Sequence, residues 1–139
     1  MAALATKGSP SPVSREHLAT DLDIPSGFLD DILRLLRNGG LTRSHRGPEG
    51  GWSLAKPPAE ITVADIIRVL EGPLASVRGV QPHDLASIQI NEPFISLWVS
   101  VRAVLRSVLE NVTIADLAAG KLPPPVAALA QQDDAWRPR

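Results

Sequence analysis

The run Leu41-Thr-Arg-Ser-His-Arg-Gly-Pro-Glu-Gly-Gly-Trp-Ser-Leu54 decides the fold. Two short extended segments, Leu41 to Ser44 and Gly51 to Leu54, flank a Gly-rich tip that carries Arg46, so the run reads as a β-hairpin. Lys56-Pro57-Pro58 ends the second strand, because proline has no N–H to give a ladder.

Two helices precede the hairpin. Ser14 is placed as an N-cap, Glu16 suits the positive end of the helix dipole, and Val13 and Leu18 have staple spacing, so a first helix runs to about Asp21. Pro25 suits the first turn of a second helix, whose Phe28, Leu29, Ile32, Leu33, Leu35 and Leu36 make a broad apolar face at 3.6-residue periodicity. Asn38-Gly39-Gly40 closes it. Its opposite stripe, Gly27, Asp30, Asp31, Arg34 and Arg37 or Asn38, faces solvent or a groove. A helix, a turn, a second helix and then a hairpin is the order of a winged helix-turn-helix, a DNA-binding arrangement.

Beyond the hairpin, Thr62 caps a third helix with Asp65 at the reciprocal position and an Ile61/Ile66 staple, and Glu71-Gly72-Pro73 ends it. Residues 74–91 show no period and read as a long loop. Glu92 to Val112 is the longest helix, about 30 Å at 1.5 Å per residue. Its apolar residues cover too much circumference for a helix packed on one side, which predicts a dimer interface over burial within a single chain. Thr113-Ile114-Ala115-Asp116-Leu117 repeats the capping pattern, and the Pro-rich stretch from Leu122 to Arg139 is expected to be partly disordered.

Composition narrows the chemistry. With no cysteine, the chain has no disulfide, thiolate metal site, thiol nucleophile or cysteine-ligated cluster. No His-Glu-x-x-His, phosphate loop or Gly-x-Ser-x-Gly is present, and Asp30 and Asp31 point about 100° apart on a helix, which makes no acid/base pair. An enzyme is not expected, nor a cofactor or metal; His83 and Asp84 fall short of a coordination set. The net charge is −1, yet between Arg34 and Lys56 five cations (Arg34, Arg37, Arg43, Arg46, Lys56) stand against Glu49 alone, a local balance of +4. The positive charge sits where the hairpin is. A cytoplasmic protein is expected, since charged residues interrupt the most apolar segment.

With these elements placed, the chain resembles the bacterial Rrf-two-type winged-helix regulators, the family of the iron-sulfur cluster assembly regulator, the nitric-oxide-sensing repressor and the cysteine metabolism repressor. The matching runs are Pro12-Val13-Ser14 with Leu18-Ala19, Ile24-Pro25 with Phe28-Leu29 and Ile32-Leu33, Leu36 to Leu41, Arg46 to Leu54, and Ile61-Thr62 through Asp65-Ile66 to Leu70-Glu71-Gly72. Leu97-Trp98 and Thr113 to Leu117 also fit, so the resemblance covers about residues 10–118. Two departures stand out. Relatives begin with a longer helix, of which only Met1 to Ala5 could represent the end, so a truncated or misassigned start is expected. Cluster-binding relatives carry three cysteines in the loop corresponding to 74–91, where this chain has none.

The expected architecture is mainly α: a winged helix-turn-helix DNA-binding domain over 1–73 with a two-stranded wing, a loop over 74–91 (the sensor region of relatives), a dimerisation helix and short final helix over 92–119, and a tail over 120–139. Arg46 suits a narrow, electronegative minor groove or its phosphates. His45 is a possible phosphate contact, weighed evenly against an idle surface role. The resemblance places a base-reading acid at Asp30, which could accept from cytosine N4, and puts Ser26 and Gly27 at neighbouring contact positions. Arg34, Arg37 and Arg43 suit phosphates. Trp52 reads as packing for the wing. Phe94, Leu97, Trp98, Val101, Leu105 and Val108 form the expected dimer face. The function expected is a homodimeric, sequence-specific regulator of transcription, a repressor more than an activator, on double-stranded DNA. A small-molecule or protein effector at the loop is left open. The alternative is a winged-helix module that docks proteins and ignores DNA; it would have no need of Arg46 on a Gly-rich tip.

Overall fold

A computed structural model describes residues 1–7, 11–76, 80, 84, 91–132 and 135–137, and among these the chain forms seven α-helices and one two-stranded antiparallel sheet. Residues 2–7 form a short helix, α1 (Ala2–Lys7), that buries Leu4. Helix α2 (Arg15–Leu22) starts as its capping pattern demands: the Ser14 hydroxyl accepts from the His17 N–H at 3.2 Å. Asp23 closes it in the left-handed region, at φ 51°, which aspartate tolerates better than most residues and which turns the chain sharply into the next helix.

Helix α3 (Ser26–Asn38) begins one residue later than the sequence implies, with Pro25 as N-cap. Its buried stripe is Leu29, Leu33 and Leu36, with Ile32 half-buried. Phe28 and Leu35, expected in the apolar face, are exposed instead. The elements that pack on α3 are α2, the first strand of the hairpin and the helix that follows the hairpin, and together they cover only the Leu29–Leu33–Leu36 line, a narrower stripe than the sequence allowed.

The hairpin consists of β1 (Thr42–His45) and β2 (Gly51–Leu54), with Thr42 opposite Leu54 and His45 opposite Gly51. The first strand is shifted one residue from its expected position, because Leu41 is drawn into the core and the buried Thr42 donates its hydroxyl to the Leu33 carbonyl at 3.3 Å. Strand β2 also pairs with the segment before α2. Val13 N–H donates to the Trp52 carbonyl at 2.9 Å, and Trp52 N–H to the Val13 carbonyl at 2.8 Å. Trp52 packs, as expected, against the core of Leu4, Val13, Leu18, Leu29 and Leu33, and thereby fastens the wing to the helices.

A 3-10 turn at Pro58–Glu60 leads into α4 (Val63–Leu70), whose Thr62/Asp65 capping box is formed in both directions. Helix α5 (Glu92–Leu109) is 18 residues long, about 27 Å, and ends three residues before the expected point. Val112 has left the helix and is buried, its carbonyl accepting from Val63 N–H at 2.9 Å. Helix α6 (Ile114–Ala118) carries the second capping box, Thr113/Asp116. The two caps lie side by side in a β-bridge between Thr62 and Thr113, which seats Ile114 in one cluster with Leu36, Leu41 and Ile61. Leu54 touches both clusters and joins them into a single core.

Within the tail expected to be disordered, residues 124–130 form a short helix, α7 (Pro124–Ala130), onto whose last carbonyl the Trp136 indole N–H donates at 2.6 Å. Of the loop expected over 74–91, Leu74 is buried; His83 lies outside the described residues, and Asp84 is exposed.

Candidate nucleic-acid interface

The interface is built from the outer side of α3 and the hairpin tip. Pro25 offers no side chain to cap α3, so the N–H groups of its first turn, starting at Ser26 and Gly27, stay open at the positive end of the helix dipole. That is a ready site for phosphate. Ser26 and Gly27 are exposed, and space around Gly27 is empty: a Cβ there would meet no heavy atom within 4 Å.

The tip of the hairpin turns through Gly47-Pro48-Glu49-Gly50, closed by the Gly50 N–H donating to the Gly47 carbonyl at 2.9 Å. Gly47 sits at φ +110°, a conformation that side chains resist, with Pro48 preset for the next position. This turn displays Arg46. The residue is exposed and makes no ion pair or side-chain hydrogen bond among the described residues.

The other predicted cations differ. Arg34 pairs with Asp31 one turn back on α3. Arg43 donates to the Ala55 carbonyl across the hairpin, and Arg37 reaches the Ser44 hydroxyl at 3.5 Å. The His45 Nε2 and Ser53 hydroxyl are 2.8 Å apart on neighbouring strands. Each of these side chains is exposed, so its neighbour orients it without removing it from the surface. Asp30 and Arg37, seven residues apart, turn toward α2 and the wing, while Gly27, Asp31, Arg34 and Asn38 face solvent.

Asp30 has a partner that periodicity did not disclose. Arg15, at the start of α2, donates to its Oδ2 at 2.8 Å and to Glu16 Oε1 at 2.7 Å. The two carboxylates raise the Arg15 pKa, Glu16 more than Asp30; Glu16 is lowered by its own backbone N–H and by Arg15. A shallow cleft between α2, α3 and the wing is lined by Arg15, Glu16, Asp30, Ser44, His45 and Trp52.

Helix α5 has no buried residue. Phe94, Leu97 and Leu105 of the expected dimer face are exposed, whereas Trp98, Val101 and Val108 are half-buried, with the Phe94 and Trp98 rings in edge contact at 6.1 Å. The sequence reading omitted Val104 from this face, although it is 63% exposed and lies seven residues from Leu97, which is 57% exposed. That spacing was its signal. Glu110, just past α5, ties the helix to α4: it accepts from Arg68 and, at 3.0 Å, from Arg106, and these two cations hold its carboxyl below the usual range.

A groove-sized helix with an open N-terminus, set beside a cationic hairpin, defines a winged helix-turn-helix DNA-binding protein. The comparisons name the class more closely. The profile of the Rrf2 family, described as iron-dependent transcriptional regulators, matches residues 1–120. A protein of Mycobacterium tuberculosis named as an HTH-type transcriptional regulator is 48% identical over 130 residues, covering 94% of this chain and 81% of its own length. The regulator CymR of Bacillus subtilis is 36% identical over 118 residues, covering 85% of this chain and 80% of its own. The solved structure of that global cysteine regulator superposes with a TM-score of 0.71 at 33% identity, covering 86% and 88% of the two chains. IscR of T. potens gives 0.68 at 31% identity, covering 94% and 82%. The chain belongs to the Rrf2 family of winged-helix, DNA-binding transcriptional regulators.

The iron in the family's description finds no thiolate ligand in this chain. The sequence contains no cysteine, and among the described residues no three His, Asp or Glu side chains gather where they could hold an ion. No helix among the described residues is long and apolar enough to cross a membrane.

Proposed function

We propose that the protein binds a two-fold-symmetric operator as a homodimer and represses adjacent genes by occupancy, in the bacterial cytoplasm. Helix α3 lies in the major groove with Ser26, Gly27 and Asp30 toward base edges. Arg46 enters the flanking minor groove, and Arg34, Arg37, Arg43 and His45 serve phosphates. Helix α5 joins two copies through Phe94, Leu97, Val101, Val104, Leu105 and Val108, with Trp98 at the edge. Half-site centres then fall about one helical turn, ~34 Å, apart. On this reading residues 1–73 read DNA and α5 pairs the copies.

The observation that carries the reading is Arg46: an exposed guanidinium, unpaired among the described residues, on a turn that Gly47 shapes. A surface cation with no internal partner on the tip of a hairpin has solvent or an external anion as its neighbours. The test is a gel shift with fragments selected from genomic DNA. Arg46→Ala should lower affinity for the selected site by about tenfold or more, with an unchanged circular dichroism spectrum. Wild-type affinity in the variant would refute the wing contact.

A further inference from the structure

We propose that Arg15 is a specificity-determining residue of this interface, acting through Asp30: it fixes the plane of that carboxylate and offsets its charge, so that one oxygen can accept from a base. The inference rests on the reading above that α3 enters the major groove.

Three groups carry it. The Arg15 guanidinium spans two carboxylates, donating through Nη1 to Asp30 Oδ2 at 2.8 Å, and through Nη2 and Nε to Glu16 Oε1 at 2.7 and 3.1 Å. They line one cleft with Ser44 and His45 of the wing, on the side of α3 that turns toward the hairpin. The side chains of Arg15 and Asp30 are 43% and 40% exposed. An ion pair this accessible adds little to folding stability, so its consequence lies in geometry and charge.

The charge comes first. Two carboxylates on a face that must approach phosphates are repelled, and Arg15 reduces the trio from −2 to −1 at the point of approach. The geometry follows. An aspartate's terminal torsion is broad when free, but the planar, rigid guanidinium fork holds Oδ2. The other oxygen, Oδ1, accepts no side-chain or backbone hydrogen bond among the described residues, and is left for the exocyclic amine of cytosine, the donor that base presents in the major groove. Arg15 sits on α2, outside the stripe of α3 that periodicity identifies, and no local pattern marks it as part of the reading surface.

The experiment selects preferred duplexes from a randomised library with the wild-type protein, then titrates the winning site and its single-base-pair substitutions with wild type, Arg15→Gln, Arg15→Lys, Asp30→Asn and the double variant R15Q/D30N. Wild type should discriminate by about tenfold at one C·G pair per half-site. R15Q and D30N should both lose that discrimination at the same pair, the double variant should be no worse than either, and R15K should recover part of it. An R15Q variant weakened equally at every pair, with a shallower salt slope, makes Arg15 a phosphate contact and overturns the inference. Wild-type discrimination in R15Q overturns it as well. Failure of the wild-type protein to select any sequence refutes the DNA-binding reading itself, a result distinct from either.

Discussion

Gly51 is the position where one added carbon should detach the wing. A Cβ there would collide with the Val13 carbonyl oxygen and stand 2.6 Å from the Val13 carbonyl carbon and 3.0 Å from the Ser14 nitrogen. All three are backbone atoms in the segment that caps α2, so none can rotate aside as a side chain would. Gly51→Ala must therefore separate β2 from Val13, breaking the reciprocal hydrogen bonds of 2.9 and 2.8 Å with Trp52. Val13 is buried, so its freed N–H and carbonyl are not fully repaid by water. Two such bonds, with part of the desolvation left uncompensated, cost roughly 2–4 kcal/mol, against a total stability of about 5–15 kcal/mol for a domain. Thermal unfolding followed by far-ultraviolet circular dichroism, at matched protein concentration, should show Tm lowered by on the order of 10 °C. Operator affinity should fall with it, because the strand that supports Arg46 has lost its anchor. A G51A protein with wild-type Tm and wild-type operator affinity would refute the claim that the Val13–Trp52 bridge sets the position of the wing.

Val104→Asp places a charge on the most exposed apolar side chain of α5 without touching the monomer's core, and sedimentation should show a monomer with weakened operator binding; a persistent dimer would place the interface elsewhere. Glu110 gives a pH dependence of defined sign. Its native pKa is depressed by Arg68 and then Arg106, so its contribution is complete above the ordinary value of 4.5 and is lost as pH falls through the lowered native value. Urea unfolding of Glu110→Gln should show a flatter fall in stability on acidification than wild type, and parallel curves would show that the Arg68–Glu110–Arg106 cluster does not contribute.

Much of this architecture is written in short-range chemistry. Ser14, Thr62 and Thr113 mark three helix starts because a hydroxyl can reach an N–H three residues on whatever lies elsewhere in the chain, and each is found in that role. The Gly-Pro-Glu-Gly-Gly turn is equally local, and with it the exposure of Arg46. The order of these elements identifies the class of protein, and the absence of cysteine by itself removes thiolate iron chemistry.

Tertiary structure decided what depends on residues distant in sequence. Periodicity put Phe28 and Leu35 in the apolar face of α3; the placement of its neighbours left them exposed. It ran α5 through Val112, but pairing of the Thr62 and Thr113 caps draws that residue into the core and ends the helix at Leu109. No local pattern links Arg15 to Asp30, fifteen residues on, and only the crossing of α2 and α3 brings the guanidinium within 2.8 Å of the carboxylate. A cap or a turn is satisfied within four residues, whereas an interhelix ion pair, a β-bridge or an uncovered helix face exists only once separate segments have been packed together.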